Sequence, residues 1–328
     1  QIQGIRLYYR FLEVDTDRYM IGDDYRQVML AARELDHAQL PEGSRSWINQ
    51  HLQYTHGYGV AMSPVTEVAS DGMPNYFIQN VPPQAVEGVE LERPQIYYGE
   101  LTNDYAIVNA LTEEFDYPMG NTNAYTTYEG QGGVPLGGIF RRILFALSTG
   151  DQQILLSGDL TPESRVLFNR NIVERTEKIA PFLKFDRDPY IVVSEGRLFW
   201  IRDAYTSTNL YPYSEPFSNV NYIRNSVKIV VDAYNGDVSY YVADQEDPII
   251  KTYQEIFPKL FKPFSEMPES LRAHIRYPEE IFNLQARVLS TYQMQDTRVF
   301  YTKEDQWELP TEQYAGTSQT MEPYYTIL

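Results

Sequence analysis

Histidines and carboxylates are the side chains of this sequence that could do acid–base or metal chemistry, because the chain has no cysteine. Thiolate nucleophiles, disulfides and cysteine-ligated metal sites are thereby excluded. The histidines are His37, His51, His56 and His274, and only His51 and His56 lie close in sequence. Five residues on a helix separate two side chains by about 140° around the axis, so one face cannot present both. Since H-E-x-x-H is also absent, we expect no histidine-based metal site.

Two acidic pairs of the form Asp-x-Asp could hold a cation. They are Asp15 with Asp17 and Asp186 with Asp188, and both lack the glycine and the following glutamate of an EF-hand loop. Because the chain has 45 acidic residues, weak calcium binding by loop carboxylates stays open, and no other cofactor is expected. A glycosidase needs only two carboxylates at a suitable distance, which no sequence reveals. A hydrolase therefore stays open, although no motif indicates one.

A glycine-rich segment, residues 128–138, precedes an apolar stretch in the manner of a phosphate-binding loop. Its spacing does not fit, because Ile139 follows Gly138 where a P-loop needs lysine, and Pro135 stands where the third glycine of G-x-G-x-x-G belongs. The nucleophile motifs G-x-S-x-G and S-x-x-K are absent as well. The segment is therefore predicted to be a tight connection that leads into a buried helix over residues 139–147.

Two loops that contain glycine supply the residues that we select as candidates for a ligand site. The first loop contributes His56 and Tyr58, the second contributes Tyr128 and Glu129, and Arg141 follows in the apolar stretch. Polar residues and glycines in loops need no more than turn geometry to explain them. We therefore assign no catalytic role to any of the five.

The elements that must position these side chains are short strands mixed with helices. The dipeptides Glu195-Gly196 and Asn235-Gly236 each predict a β-hairpin. Capping residues and prolines at first turns predict helices, most clearly from Thr161 to Ala180, where Thr161-Pro162-Glu163 opens the pattern. Further helices are predicted over residues 247–257, 268–275 and 278–293.

This order of elements predicts an α+β fold of mainly antiparallel β-hairpins with several packed helices, because strands and helices do not alternate regularly. Ile5–Phe11 is expected to be extended, whereas residues 25–31 fit a strand or a helix equally well. The sequence pattern changes at Pro189, from dense glycine and proline to clear hairpins followed by helices. We therefore expect two lobes, a Gly/Pro-rich α+β lobe over residues 1–188 and a hairpin-plus-helices lobe over residues 189–328.

Composition limits the partners of the chain. Its 45 acidic and 27 basic residues give a net charge of −18 over 328 residues, which disfavours nucleic acid. No stretch of about 18 apolar residues occurs, so we expect that this region does not itself span a bilayer. Hydrophobic residues make up 43% of the chain, enough for a sizeable core.

Several phrases of the sequence together resemble a known family, the uncharacterised membrane proteins of bacteria and cyanobacteria called UPF0182. The phrases spread over nearly the whole chain and cover residues 26–36, 54–59, 125–130, 140–147, 185–190 and 271–278. The resemblance implies a parent with several N-terminal membrane spans and a large extracytoplasmic portion, from which this chain would be an excised piece. The family has no assigned activity, so no residue takes a role from it.

From the residues and the resemblance we expect an extracytoplasmic domain of a cell-membrane protein. It would be a binding or scaffolding module for envelope components or for its own membrane portion, rather than an enzyme. The alternative is a hydrolase that acts on cell-wall or polysaccharide substrates through paired carboxylates. An enzyme should gather carboxylates with perturbed pKa values, and a binding module should expose tyrosine or tryptophan without such a cluster.

A third possibility concerns the apolar helix over residues 139–147. It could dock against the membrane spans of the parent, with Arg141 and Arg142 meeting lipid headgroups. Full burial of the helix within this chain would exclude that arrangement.

Overall fold

The computed structural model describes residues 9–68, 70 and 72–327 of the chain. Mainly antiparallel sheets pack with helices, which confirms the predicted α+β fold. The expected strand Ile5–Phe11 lies mostly outside the described residues. Residues 25–31, which fitted a strand or a helix, belong to a strand.

Most strands in the first half of the chain are short, as the dense turn residues predict. They are β1 (Tyr9–Arg10), β2 (Asp15–Ile21), β3 (Asp24–Ala32), β4 (Glu34–Leu35), β5 (Gly57–Tyr58), β6 (Val60–Pro64), β7 (Ile78–Gln79), β8 (Gln84–Ala85), β9 (Gln95–Ile96), β10 (Ala106–Val108), β11 (Glu114–Met119), β12 (Thr122–Thr126), β13 (Val134–Pro135) and β14 (Arg165–Leu167). The second half contributes β15 (Lys184–Phe185), β16 (Tyr190–Ser194), β17 (Arg197–Thr208), β18 (Tyr222–Asp232), β19 (Val238–Val242), β20 (Phe261–Pro263), β21 (Thr311–Tyr314) and β22 (Thr317–Thr320).

Two sheets organise the molecule. A five-stranded sheet has the order β2-β3-β6-β7-β8, and a six-stranded sheet is built around β17 and β18, with β16 paired to β17. The largest apolar cluster takes Val28 and Leu30 from the first sheet and Trp200 and Ile229 from the second. This core therefore joins residues from both sides of position 189, and the division into two lobes stays a prediction.

Both predicted hairpins are present. β16 and β17 turn through Glu195 and Gly196, which have φ angles of 50° and 72°, and β18 and β19 turn through Gly236 at φ 73°. Left-handed backbone of this kind matches the twist of a tight hairpin and is easiest for glycine.

The helices of the described residues lie mostly in the second half of the chain. They are α1 (Ile139–Thr149), α2 (Gln153–Leu156), α3 (Ile172–Ile179), α4 (Pro248–Ile256), α5 (Glu269–Arg272), α6 (Glu279–Tyr292) and α7 (Thr297–Thr302). Shorter helical turns occupy His37–Gln39, Glu42–Ser44, Asn49–Gln53 and Phe264–Glu266.

The helix predicted from Thr161 to Ala180 is wrong over its first half. That half contains the short strand β14, which pairs with β10 and β13 and has Val166 and Leu167 fully buried. The helix begins only at Ile172, where the Asn171 side chain accepts hydrogen bonds from two first-turn N–H groups. The capping pattern at Thr161 favoured a helix, but the burial of Val166 and Leu167 in a strand outweighed it.

The helix predicted over residues 139–147 exists, but its predicted burial is wrong. It starts after Gly138 and ends at Gly150, which is left-handed with φ 73°. Its core contact is made by Ala146 and the half-buried Phe145, whereas most of its large apolar side chains are exposed. In the part of the chain that the structure describes, no helix combines the length and apolarity needed to cross a bilayer.

Candidate functional site

Strand β2 turns an acidic face toward the interior. Asp15, Asp17 and Tyr19 alternate with more exposed residues and are all buried, because successive side chains of a strand point to opposite faces. This face meets β16 and the segment that follows α5. The Asp15 carboxylate accepts a hydrogen bond from the N–H of Ile191 at 3.1 Å, and Asp17 lies 2.9 Å from Nδ1 of His274.

A cluster of carboxylates surrounds Asp15. Single carboxylate oxygens of Glu13, Asp15 and Asp188 all lie within 4.8 Å of one another, and we name these three residues the acidic cluster. Arg276 bridges its inner part, since its guanidinium is 2.6 Å from Asp188 and 3.6 Å from Asp15. The same guanidinium lies 4.0 Å from the ring centre of Tyr190. The two Asp-x-Asp pairs of the sequence thus meet in space through one member of each.

The pKa values of these carboxyls are shifted upward. Burial raises the pKa of Asp15 to about 8, and Arg276 opposes that shift only in part. Burial also raises the pKa of Glu13 and of Asp188. Glu100 joins the group, because burial and then the charge of Glu13 raise its pKa to about 9. At neutral pH the group therefore shares protons rather than carrying its full negative charge.

Glu34 is a further buried carboxylate, which contacts this group through the backbone at Glu100. Its carboxylate is buried and accepts hydrogen bonds from the N–H groups of Glu100 and Leu101, at 3.0 and 2.9 Å. Burial raises the pKa of Glu34 to about 7 in spite of these two bonds. Gly99 permits this approach, since a Cβ there would lie 2.0 Å from a carboxylate oxygen of Glu34.

The acidic cluster can do two kinds of chemistry. Three carboxylates can supply up to six oxygens, which suits the about six to eight ligands of calcium. A protonated Asp15 beside Asp188 could instead act as an acid and base pair, the arrangement that glycosidases use. Arg276 competes with both uses, because it already neutralises part of the charge.

The structure brings together three of the five predicted ligand residues. Tyr97 joins them, with ring centres 4.8 Å from His56 and 4.9 Å from Tyr128, and Tyr58 lies 6.4 Å from His56. All four side chains are buried. The group is therefore a packed aromatic cluster of the interior and offers no open surface to a ligand.

His56 has an unusual environment within that cluster. Its Nδ1 donates to the carbonyl of Gly57 at 2.9 Å, which leaves the lone pair on Nε2. That Nε2 has no hydrogen-bond partner among the described residues and lies 3.8 Å from a carboxylate oxygen of Asp116. Burial lowers the pKa of His56 to about 4 and raises that of Asp116. The imidazole is therefore neutral at pH 7, and it is sealed from solvent.

The other two predicted residues lie apart from this cluster. Glu129 is exposed and pairs with Arg93 at 3.0 Å, at the edge of the aromatic group. Arg141 lies on α1 and donates to the carbonyl of Pro135 at 3.1 Å. The five residues therefore do not form one site.

The outer face of α1 is the second notable feature. Residues 140, 143, 144 and 147 follow the i, i+3, i+4, i+7 spacing of one helical face. Phe140, Leu144 and Leu147 are 69%, 50% and 77% exposed, and Leu156 of α2 beside them is 73% exposed. We name Ile139, Phe140, Ile143, Leu144, Leu147 and Leu156 the apolar face. An apolar stripe of this kind normally covers a core, and here it points outward.

Sequence reasoning missed Glu13, Glu34 and Glu100 as partners of Asp15 and Asp188. The pattern Asp15-x-Asp17-x-Tyr19 at strand spacing carried a signal, since alternate burial would place all three side chains inside. Glu13 stands only two residues before Asp15, whereas Glu34, Glu100 and Asp188 are brought to β2 only by the tertiary fold.

Comparison with known proteins identifies relatives of this chain. The model of the family described as "Uncharacterised protein family (UPF0182)" matches residues 1–328. A UPF0182 protein of Desulforamulus reducens is 54% identical over 330 residues, covering 100% of this chain and 35% of the relative. UPF0182 proteins of Pelotomaculum thermopropionicum and Methanospirillum hungatei are 53% and 48% identical, again over 100% of this chain and over 36% and 37% of their own lengths.

The chain thus spans about a third of the length of these curated relatives. No solved structure matches it.

Proposed function

The chain belongs to the uncharacterised protein family UPF0182, and from this premise we propose that it is a binding and scaffolding module on the extracytoplasmic side of the cell membrane. It docks through the apolar face of α1 and α2 onto the membrane portion of a longer polypeptide. The observation that carries the proposal is the outward direction of that face, on which Phe140 and Leu147 are 69% and 77% exposed.

Exposed apolar side chains in such number need a partner. Each large aliphatic or aromatic side chain that leaves water contributes about 1.5–3 kcal/mol, so six neighbouring ones form a strong docking surface. The helix holds them rigidly, because Ala146 and Phe145 anchor its other side in a core with Ile154. A face that is both rigid and apolar binds at low entropic cost.

The relatives of this chain supply the argument for the occupant. About two thirds of each curated relative lies outside the matched region, so a large partner is available in the same polypeptide. A net charge of −18 opposes docking on an anionic lipid surface alone. In this arrangement the exposed Arg141 would meet a headgroup beside the apolar face, whereas Arg142 is half-buried and donates to the carbonyl of Leu160.

Single cysteines test the proposal cleanly, because the chain has none of its own. We would introduce Leu147→Cys or Leu210→Cys into the full-length parent, freed of other cysteines, and label intact cells with a membrane-impermeant maleimide. Leu210 is 84% exposed and is not part of the apolar face, which makes it the matched control. The same two variants of the isolated chain give the reference rates.

Docking predicts that the two cysteines react alike in the isolated chain and that only Leu147→Cys is slowed in the parent, by about tenfold or more. Equal rates in the parent would show that the face is uncovered and would refute the docking proposal. Labelling of Leu210→Cys only after the cells are permeabilised would refute the extracytoplasmic location.

The acidic cluster favours a second candidate, a hydrolase of cell-wall or polysaccharide substrates. Its carboxylate oxygens lie within 4.8 Å of one another, close to the about 5 Å separation of retaining glycosidases. Asp15, with a pKa of about 8, would be the acid, and the half-exposed Asp188 would be the nucleophile or base.

Turnover of peptidoglycan or polysaccharide fragments by the purified chain tests this candidate. Wild-type activity that is lost in both Asp15→Asn and Asp188→Asn, and kept in Asp186→Asn, would support it. Thermal melts of the same variants with calcium test the weak calcium site, since a cation held at the acidic cluster should raise the melting temperature of the wild type and of Asp186→Asn, but not that of Asp15→Asn or Asp188→Asn. Absence of both effects would leave the cluster a structural element.

A further inference from the structure

A cavity of about 590 Å³ lies between α6 and the extended chain that follows α7. This volume falls within the usual range for small-molecule sites. The residues that matter for its chemistry are Tyr277, Glu279, Phe282, Glu322, Tyr324 and Tyr325. None of them belongs to the apolar face of α1 or to the acidic cluster.

The lining of this cavity combines aromatic rings with carboxylates. Four aromatic side chains and two glutamates line it, and the rest of the wall is apolar apart from the amide of Asn283. No lysine, arginine or histidine is among the lining residues. The walls are therefore electron-rich and carry only negative charge.

We propose that this cavity binds a small organic cation with an apolar body, such as an alkylated ammonium. Aromatic faces attract such cations through the ring quadrupole, and they do so best where the cation is partly desolvated. Glu279 and Glu322 supply the opposite charge. A neutral apolar ligand would fill the same volume but would bury these carboxylates without a partner, which is costly.

The electrostatic surroundings of Glu279 fit a cationic occupant. Burial raises the pKa of this carboxyl first, and the negative charges of Asp188 and Glu322 raise it further. Arg276 opposes the shift, but it does not line the cavity and is held 2.6 Å from Asp188. An entering ammonium would offset the repulsion that remains. A net charge of −18 on the whole chain also concentrates cations near the protein.

The aromatic rings that line the cavity can take part in cation–π contacts. The guanidinium of Arg276 already lies 5.3 Å from the ring centre of Tyr325, so this ring takes part in one cation–π contact. Phe282 and Tyr324 are 50% and 71% exposed, so both rings can be reached from solvent. An alkylated ammonium that covered them would remove apolar surface from water as well as pair the carboxylates.

Titration of the isolated chain with choline, followed by calorimetry and by NMR of the aromatic side chains, tests the proposal. The matched ligand is the neutral isostere of choline in which carbon replaces the quaternary nitrogen. The matched variants are Glu279→Gln, Glu322→Gln and Phe282→Leu, with Glu304→Gln as an exposed acidic control outside the cavity.

We expect choline to bind more tightly than its neutral isostere and its binding to weaken as salt is added. Each glutamine variant should lower the affinity for choline about threefold or more and leave the isostere unaffected, and Glu304→Gln should change neither. Phe282→Leu should lower the affinity for choline by a similar factor. Equal binding of choline and the isostere, or binding that the glutamine variants do not change, would overturn the proposal.

A further arm with phosphocholine separates two sources of the same chemistry. Binding of choline but not phosphocholine identifies a free cation, because the two glutamates repel the phosphate. Binding of both at similar affinity identifies an ammonium carried on a headgroup. If neither ligand binds at concentrations up to about 10 mM, the proposal is overturned, because a site with a dissociation constant of about 1 mM would be nearly saturated there.

Discussion

Helix α1 and strand β2 place their side chains in opposite ways. The helix turns Phe140 and Leu147 toward solvent, whereas the strand buries Asp15 and Asp17. Apolar groups outside and carboxylates inside both cost free energy unless a partner compensates. Asp15 has its compensation within this chain, in Arg276, and the helix lacks any comparable cover among the described residues.

This contrast separates two kinds of specialised region. The acids of β2 are tied into the interior of the molecule, so changes there should be felt as stability and as its dependence on pH. The apolar face is rigid but external, so changes there should be felt in association and hardly in folding. Three predictions test whether this division holds.

The largest effect is expected for Arg276→Ala. The variant removes the guanidinium from Asp15 and Asp188 and from the face of the Tyr190 ring, and it leaves buried acid without a cation. Loss of one partner of a buried pair costs about 3 kcal/mol in the free energy of unfolding. Urea denaturation at pH 8 should show this loss. The loss should be smaller at pH 5, where Asp15 is protonated in the folded state.

Arg187→Ala is the matched control, since Arg187 is exposed and pairs with Glu280 on the surface. It should leave the urea midpoint unchanged. If Arg276→Ala behaved like this control, the acidic cluster would not depend on the guanidinium of Arg276. The claim that the buried acids of β2 are stabilised within this chain would then be wrong.

The second effect concerns the pH dependence of stability. The pKa of Asp15 is raised from 3.8 to about 8 on folding, so between these values the folded state binds more protons than the unfolded state. Stability contributed by this group is therefore full below about pH 4 and is lost as the pH rises toward 8, with a slope of at most about 1.4 kcal/mol per pH unit. Glu34 acts in the same direction, because its pKa is raised to about 7.

Asp15→Asn isolates that contribution. The amide oxygen can still accept the hydrogen bond from Ile191, but the side chain no longer titrates. The variant should therefore lose less stability than the wild type between pH 5 and pH 8, in chemical denaturation at several pH values. Parallel curves for the two proteins would mean that Asp15 is ionised in the folded state, against the pKa given above.

The sequence predicted local features better than assembled ones. The hairpin at Asn235-Gly236 turns through the left-handed Gly236, and the Asn-Gly pair is a local turn signal, so it could be predicted without the rest of the fold. The helical period of α1 was equally visible, but its exposure was not, because an apolar stripe has the same pattern whether it meets a core or a partner.

The candidate site was less predictable for the same physical reason. Asp15 and Asp188 were visible as acidic pairs, yet nothing local to either indicates that they meet. Glu34 and Glu100 lie in segments whose own sequence indicates only turns and short strands. His56 and Tyr58 were selected from loop composition, and the fold buried them because Tyr97 and Tyr128 pack around them.

The smallest effect is expected for Leu147→Ser on α1. Its side chain is 77% exposed, so the substitution should change the free energy of unfolding by no more than about 0.5 kcal/mol. Ile154→Ala in the core beneath the helix, where Ile154 is fully buried, should cost about 2–5 kcal/mol and is the internal comparison. Urea midpoints of the two variants measure the difference. A large loss for Leu147→Ser would mean that the helix contributes this side chain to the fold itself, and that the apolar face is not reserved for a partner.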